Sequence, residues 1–290
     1  MQSDLSESTP FNNEEGSCAD TIDPCRVLII GGGRMGGALA KRWSCDPHWQ
    51  IYMVSPHCVE QDWGDSQFER YSHVSMLPPA MRFDVIVIAI KPQAFSLLTD
   101  YIDYFLPGSV VVSIAAGQSC AHVKYYSPDA SYWVRAMPNL AVSIGQGAVA
   151  AFSPYELPVR IQLFVTRLLN GCGTVYWLDK EELFDATTAL LGSGPAFIFY
   201  VMELFMKTGE ELGLPKELAH DFTVETIHAC ALLATKSHLS CTALREHVTS
   251  PGGTTAAGLN EWMNSNFLQS LVQKTLMAAT KRSQDLKQSL

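Results

Sequence analysis

Arg26-Val27-Leu28-Ile29-Ile30-Gly31-Gly32-Gly33-Arg34-Met35-Gly36 joins a short apolar run to a G-x-G-x-x-G turn, and a helix-length segment, Met35 to Trp43, follows. A glycine pattern of this kind means little alone. Directly after a strand and opening a helix, it has the context that a dinucleotide turn requires. Gly31 permits the tight turn, Gly33 lets the backbone approach a pyrophosphate, and Gly36 allows close packing of helix on sheet. The amides and the positive end of the helix then face the phosphates. The competing reading is a glycine-rich turn without a ligand, and the strand–turn–helix setting weighs against it.

Outward from this turn the chain alternates. Apolar, β-branched runs occur at Val27 to Ile30, Ile51 to Val54, Val85 to Ile90, Val110 to Ile114, Tyr132 to Val134, Gly147 to Phe152 and Thr174 to Trp177. Most are continuous, the mark of strands covered on both faces. Helix-length segments such as Met35 to Trp43 and Leu157 to Leu169 lie between several of them. The reading is an α/β fold whose N-terminal part is a doubly wound, Rossmann-type parallel sheet. After about Leu178 strands vanish. Phe184 to Leu191, Ala196 to Leu212, Glu217 to Ser237, Thr242 to Val248, Thr254 to Asn264 and Leu268 to Leu286 read as helices. The helix from Ala196 is apolar nearly all round until Met206, which predicts that a second subunit encloses it. The expected division is a tail over 1–24, a dinucleotide-binding domain over 25–178 and an all-helical domain over 179–290.

Composition narrows the function. The net charge of −9 and the lack of a basic stripe argue against nucleic acid, whose phosphates need clustered Lys and Arg. Only 17% of residues are charged, against roughly 25% in a typical globular chain, which again suggests helices buried on most faces. Met1 to about Pro24 is acidic and poor in apolar residues, a composition of disorder, and it resembles neither a secretory signal nor a mitochondrial presequence. The eight cysteines form no C-x-x-C pair or zinc-like cluster, so reduced thiols in a cytosolic protein are expected, and no metal. Ala186 to Met202 carries no charge, but Gly192-Ser193-Gly194-Pro195 interrupts it, and a membrane span needs roughly 20 unbroken apolar residues. Glu225 and His228 have metal-ligand spacing on a helix but lack symmetric partners, so they read as a surface pair.

The second strand ends Val54-Ser55-Pro56-His57, without the Asp or Glu that would hold an NAD ribose. Small hydroxyl and imidazole groups accept a 2′-phosphate better than a carboxylate does, which leans to NADPH over NADH. An ordinary strand end reads the same way.

Five motifs follow in order: Asp84-Val85-Ile86-Val87-Ile88-Ala89-Ile90-Lys91-Pro92-Gln93, Ser113-Ile114-Ala115-Ala116-Gly117, Arg135-Ala136-Met137-Pro138-Asn139, Gly192-Ser193-Gly194-Pro195-Ala196 and Val248-Thr249-Ser250-Pro251-Gly252-Gly253-Thr254-Thr255. From Arg26 to its end the chain resembles the pyrroline-5-carboxylate reductases. The resemblance implies NAD(P)H-dependent reduction of a cyclic imine to L-proline. It implies that Ile30, Gly31, Gly32, Gly33, Arg34, Met35 and Gly36 hold the pyrophosphate end, with Ser55, Pro56 and His57 beside the adenosine ribose. Ala89, Ile90, Lys91 and Pro92, with Ala115, Ala116 and Gly117, would line the rest of the cofactor. Val248 to Thr255 would be the substrate loop: Ser250 and the amides of Gly252, Gly253, Thr254 and Thr255 grip the carboxylate, and the Thr255 hydroxyl lies beside the ring nitrogen. The family is also built as a homodimer through its C-terminal helices, often in larger rings. Leu140 and Ala141 replace the family's Thr-Pro, Leu191 replaces a Ser, and Met76 stands where an Asn is usual.

Without the family, Ser250 to Thr255 still reads as two glycines before a helix start, an anion seat or a plain cap. Reducing a protonated C=N asks mainly for positioning over a nicotinamide. A hydroxy-acid dehydrogenase would need a true general acid, and the Ala196–Leu212 helix offers only Lys207 with Glu211. A catalytically silent NADP-binding sensor, the remaining alternative, has no need of the Ser250–Thr255 loop.

Overall fold

Successive residues of a strand face opposite sides, so a continuous apolar run can fill two cores at once. The computed structural model describes residues 24–56, 67–79 and 81–288, so the expected tail and His57 lie outside the described residues. Its first part contains β1 (Cys25–Ile30), α1 (Arg34–Trp43), β2 (Trp49–Val54), β3 (Glu69–Tyr71), β4 (Val85–Ile88), β5 (Val110–Ser113), α2 (Cys120–Tyr126), β6 (Tyr132–Pro138), β7 (Gly147–Phe152), α3 (Val159–Asn170) and β8 (Gly173–Trp177). Val27, Ile29, Ile51, Met53, Val85 and Val87 pack on one side with Leu39 and Trp43 of α1 and Val165 and Leu168 of α3. Leu28, Ile30, Tyr52, Val54, Ile86 and Ile88 pack on the other with Phe95 and Leu98 of a 3-10 stretch, Pro92–Tyr104, and Val123 of α2. The two-faced burial expected from the sequence is therefore present.

The eight strands form one sheet in the order β3-β2-β1-β4-β5-β6-β7-β8. Its first six follow the doubly wound order in which a ligand lies across the tips of the central strands. The expected parallel sheet is present with one antiparallel pair, β6 and β7, in which Arg135 lies opposite Phe152 and Pro138 opposite Val149. The 3-10 turn Leu140–Ile144 between them, closed by Gly145 at φ +70°, makes that reversal possible without a crossover helix. The sequence reading also missed β3, a short charged edge strand.

After β8 the chain is helical: α4 (Phe184–Thr187), α5 (Gly194–Glu211), α6 (Lys216–Lys236), α7 (Cys241–His247), α8 (Thr254–Met263) and α9 (Phe267–Gln288). Gly192 to Pro195 does not interrupt the helical winding as expected. A π-turn, Thr188–Gly192, carries α4 into α5, closed by the Ser193 amide on the Thr188 carbonyl at 2.9 Å. The run Glu181–Glu211 is long and apolar enough to cross a membrane by length and composition, and its most apolar window is only 6% buried. Ile198, Phe199, Tyr200, Leu204 and Phe205 are exposed along α5. The C-terminal helix α9 turns back and packs on α4 and the π-turn.

Trp43 ties the first core together. It is 1% exposed, and its indole Nε1 donates to the Leu168 carbonyl at the end of α3, at 2.7 Å. Trp43→Phe is expected to cost about 0.5–1.5 kcal/mol through the lost indole hydrogen bond, since the Leu168 carbonyl keeps the Gly171 amide, and Trp43→Ala about 3–5 kcal/mol, both measured by urea unfolding.

Candidate active site

The glycine turn is shaped by what its residues lack. Gly31 adopts φ +110°, and a Cβ there would lie 2.7 Å from the Ala89 carbonyl oxygen. A Cβ on Gly36 would lie 2.1 Å from the Gly31 carbonyl oxygen, so α1 starts as close to β1 as a bare Cα allows. A Cβ on Gly33, by contrast, would meet nothing within 4 Å. Gly33 is the N-cap of α1 with no side-chain cap, and the first turn holds no acid. The first amides of α1 thus face open space, as a pyrophosphate requires. Two backbone bonds fix the turn between its neighbours: Gly31 N to Val54 O at 2.9 Å and Ala89 N to Ile30 O at 2.8 Å. A dinucleotide fits this cradle.

At the tip of β2, Ser55 is half-buried beside Gly32, whose Cβ would meet Ser55 Cβ at 3.0 Å. The Ser55 amide donates to the Tyr71 carbonyl of β3 at 3.0 Å. Arg34 is exposed at the start of α1, with no ion pair among the described residues. Pro56 is exposed beside Ser55. On the other side of β1, Ala89 and Ile90 are half-buried at the tip of β4, and Lys91 is exposed as the cap of the Pro92–Tyr104 stretch. Beyond them Ala115 is buried at the tip of β5, and Gly117 turns the chain at φ +74°. The structure therefore brings Ile30 to Gly36, Ser55, Pro56, Ala89 to Pro92 and Ala115 to Gly117 to one edge of the sheet.

It does not bring residues 248–255 there. Their hydrogen bonds are local: Thr249 Oγ1 donates to Arg245 O at 2.6 Å, and Gly253 N to Ser250 O at 3.0 Å. Val248, Ser250, Gly252, Thr254 and Thr255 are exposed. Gly253 caps α8 without a side-chain bond, and its first turn holds no acid, so neither Thr254 nor Thr255 serves as the cap. Glu225 and His228 are both exposed, and the described residues contain no group of side chains that could hold a metal.

One buried cluster beside the cofactor edge escaped the sequence reading. Arg135 of β6 is 1% exposed; its Nη1 donates to Glu181 Oε1 at 3.0 Å, and its guanidinium lies 4.2 Å over the Phe184 ring. The same carboxylate oxygen accepts from the Cys120 amide at 2.9 Å. Burial, then the Glu181 charge, push the Cys120 thiol up to about 12. The signal was available: an arginine inside an otherwise apolar strand needs a partner.

Two outcomes follow. Gly36→Ala is expected to weaken binding of a dinucleotide about tenfold or more in a fluorescence titration, because helix and turn must separate. Burial alone raises Cys172 to about 12 as well, so at pH 8 iodoacetamide should modify exposed Cys45 and leave Cys120 and Cys172 unmodified, read by mass spectrometry.

Comparison with known proteins agrees with this geometry. Residues 181–286 match the family described as pyrroline-5-carboxylate reductase dimerisation, and residues 26–117 match one described as NADP oxidoreductase, coenzyme F420-dependent. The pyrroline-5-carboxylate reductase of Pseudomonas aeruginosa is 33% identical over 91% of this chain and 98% of its own length. That of Arabidopsis thaliana is 33% identical over 71% of this chain and 74% of its own. Among solved structures, the Coxiella burnetii enzyme superposes with a TM-score of 0.77 at 29% identity, covering 90% of this chain and 97% of that one. The Plasmodium falciparum enzyme, solved with NADP bound, gives 0.78 at 24% identity over 91% of this chain and 98% of that one, a likeness of fold. By this extent of similarity, over nearly the whole length of its relatives, the chain belongs to the pyrroline-5-carboxylate reductase family.

Proposed function

We propose that this protein reduces L-1-pyrroline-5-carboxylate to L-proline with NADPH. The observation that carries the reading is a pair of helix starts whose N-cap is a glycine. Both α1 at Gly33 and α8 at Gly253 lack a side-chain cap and an acid in the first turn. The first suits a pyrophosphate at the centre of the sheet. The second suits a small carboxylate, and the substrate of the related enzymes has one.

In this reading residues 25–178 bind the dinucleotide, and residues 179–290 bind substrate and pair with a second copy. Arg34, exposed at the start of α1 with no ion pair among the described residues, favours a 2′-phosphate over a bare ribose, hence NADPH over NADH. A bound reduced nicotinamide supplies the hydride. Ser250 and the amides of Gly252, Gly253, Thr254 and Thr255 hold the carboxylate, which fixes the ring. The Thr255 hydroxyl hydrogen-bonds the ring nitrogen as it becomes an amine. Positioning does most of the work, because a protonated C=N carbon is already electrophilic.

The exposure of residues 248–255, together with the exposed apolar length of α5, supports a homodimer in which one copy's loop completes its partner's strand-tip site. Burial of α5 against that partner accounts for the Glu181–Glu211 run without a membrane. Larger rings of such dimers and a cytoplasmic location belong to the same reading.

Steady-state oxidation of NADPH with the five-membered imine tests it, keto acids serving as the contrast; turnover of keto acids alone would refute it. Thr255→Ala is expected to lower kcat/KM by about 10²–10⁴. Arg34→Ala is expected to raise KM for NADPH about tenfold and leave KM for NADH unchanged, because only the former carries the extra phosphate.

A further inference from the structure

The Ala115–Gly117 turn is held from outside the sheet. Gly117 is buried and left-handed, and a Cβ placed on it would stand 3.4 Å from Cβ of Leu286, almost at the other end of the chain. Leu286 lies in the last turns of α9, and those turns are fastened. Asp185, 7% exposed, accepts from Ser283 Oγ at 2.9 Å on one oxygen and from Lys287 Nζ at 2.8 Å on the other. Ser283 is itself 4% exposed. Ser283 and Lys287 are four residues apart on one face of α9, so fixing both fixes the rotation of the helix and the placement of Leu286 between them.

The exit of the same turn is fastened from the same place. Glu181, one helical turn before Asp185, takes the Cys120 amide that begins α2 and the buried Arg135 of β6. Residues 181–185 therefore hold α2 on one side and α9 on the other, with the turn between.

We infer that the last turns of α9, locked to Asp185, set the Ala115–Gly117 turn and so position the nicotinamide end of the cofactor. Asp185, Leu286 and Lys287 are positioning residues for the reaction. The inference rests on the functional reading above. Direction follows from strand order. The β2 tip lies on one side of β1 and the β4 and β5 tips on the other, so a dinucleotide crossing β1 has its adenosine at Ser55 and its nicotinamide near Ala115. Loosening α9 should therefore act on one half of the cofactor only.

The test compares two ligands on the full chain by fluorescence titration: NADPH, and 2′,5′-ADP, which has the adenosine half alone. Leu286→Ala and Lys287→Met are expected to weaken NADPH about tenfold and to leave 2′,5′-ADP within about twofold. KM for NADPH should rise likewise and kcat at saturating NADPH should fall, with KM for the imine held within about twofold. Lys287→Arg, which keeps the ion pair, should bind both ligands as the unmodified protein does. Equal loss of both ligands would show a merely structural role and overturn the proposal, as would unchanged NADPH binding. If Leu286→Ala fails to fold, the Lys287 pair carries the same comparison. Failure of the unmodified protein to bind NADPH at all would instead refute the functional reading, and this proposal with it.

Discussion

A single carboxylate oxygen, Glu181 Oε1, accepts from a strand and from a helix start while sitting at the entrance to the helical half of the chain. It is one of the places where the chain beyond residue 181 is oriented to the sheet. Arg135 is sequestered from water, so its charge must be met inside the protein. Glu181 meets it, and the Phe184 ring covers the guanidinium face. Removing either partner would strand a charge, a far larger penalty than the net worth of the pair. The direction in which the helices leave the sheet is thus guided by an ion pair whose guanidinium is buried.

The glycine turn shows the opposite economy. It uses few side chains and many bare atoms: α1 lies against β1 because Gly36 has no Cβ to keep it off, and its amides stay open because Gly33 offers nothing to cap them. The same device recurs at Gly253. Two helices with uncapped starts are each short of hydrogen bonds, and the ligands envisaged for them would satisfy those amides.

What could be read from the sequence follows what is local. The strand before Gly31, the glycine turn and α1 lie within about one element of each other, and periodicity with turn chemistry specified them. The helices after Leu178 were legible for the same reason. The reversed direction of β7 was not, because an apolar run looks alike whichever way it runs. β3 was missed because Glu69-Arg70-Tyr71 has no apolar run to mark it, and its place depends on β2 beside it. The Arg135–Glu181 pair joins residues 46 apart, and Asp185 with Lys287 joins residues 102 apart. Such pairings follow from the assembled fold. The 248–255 loop was legible as a motif, yet its distance from the strand tips follows from three-dimensional arrangement alone.

The unburied flank of α5 has a bearing on how this protein survives in a cell. Ile198, Phe199, Leu204 and Phe205 meet solvent in a lone copy. Such a surface clings to whatever apolar material is near, so newly made chains face a race between correct pairing and misassembly. Pairing is second order in chain number. Scarcity would therefore lower the yield of usable protein more steeply than it lowers synthesis, and abundance would protect it by mass action.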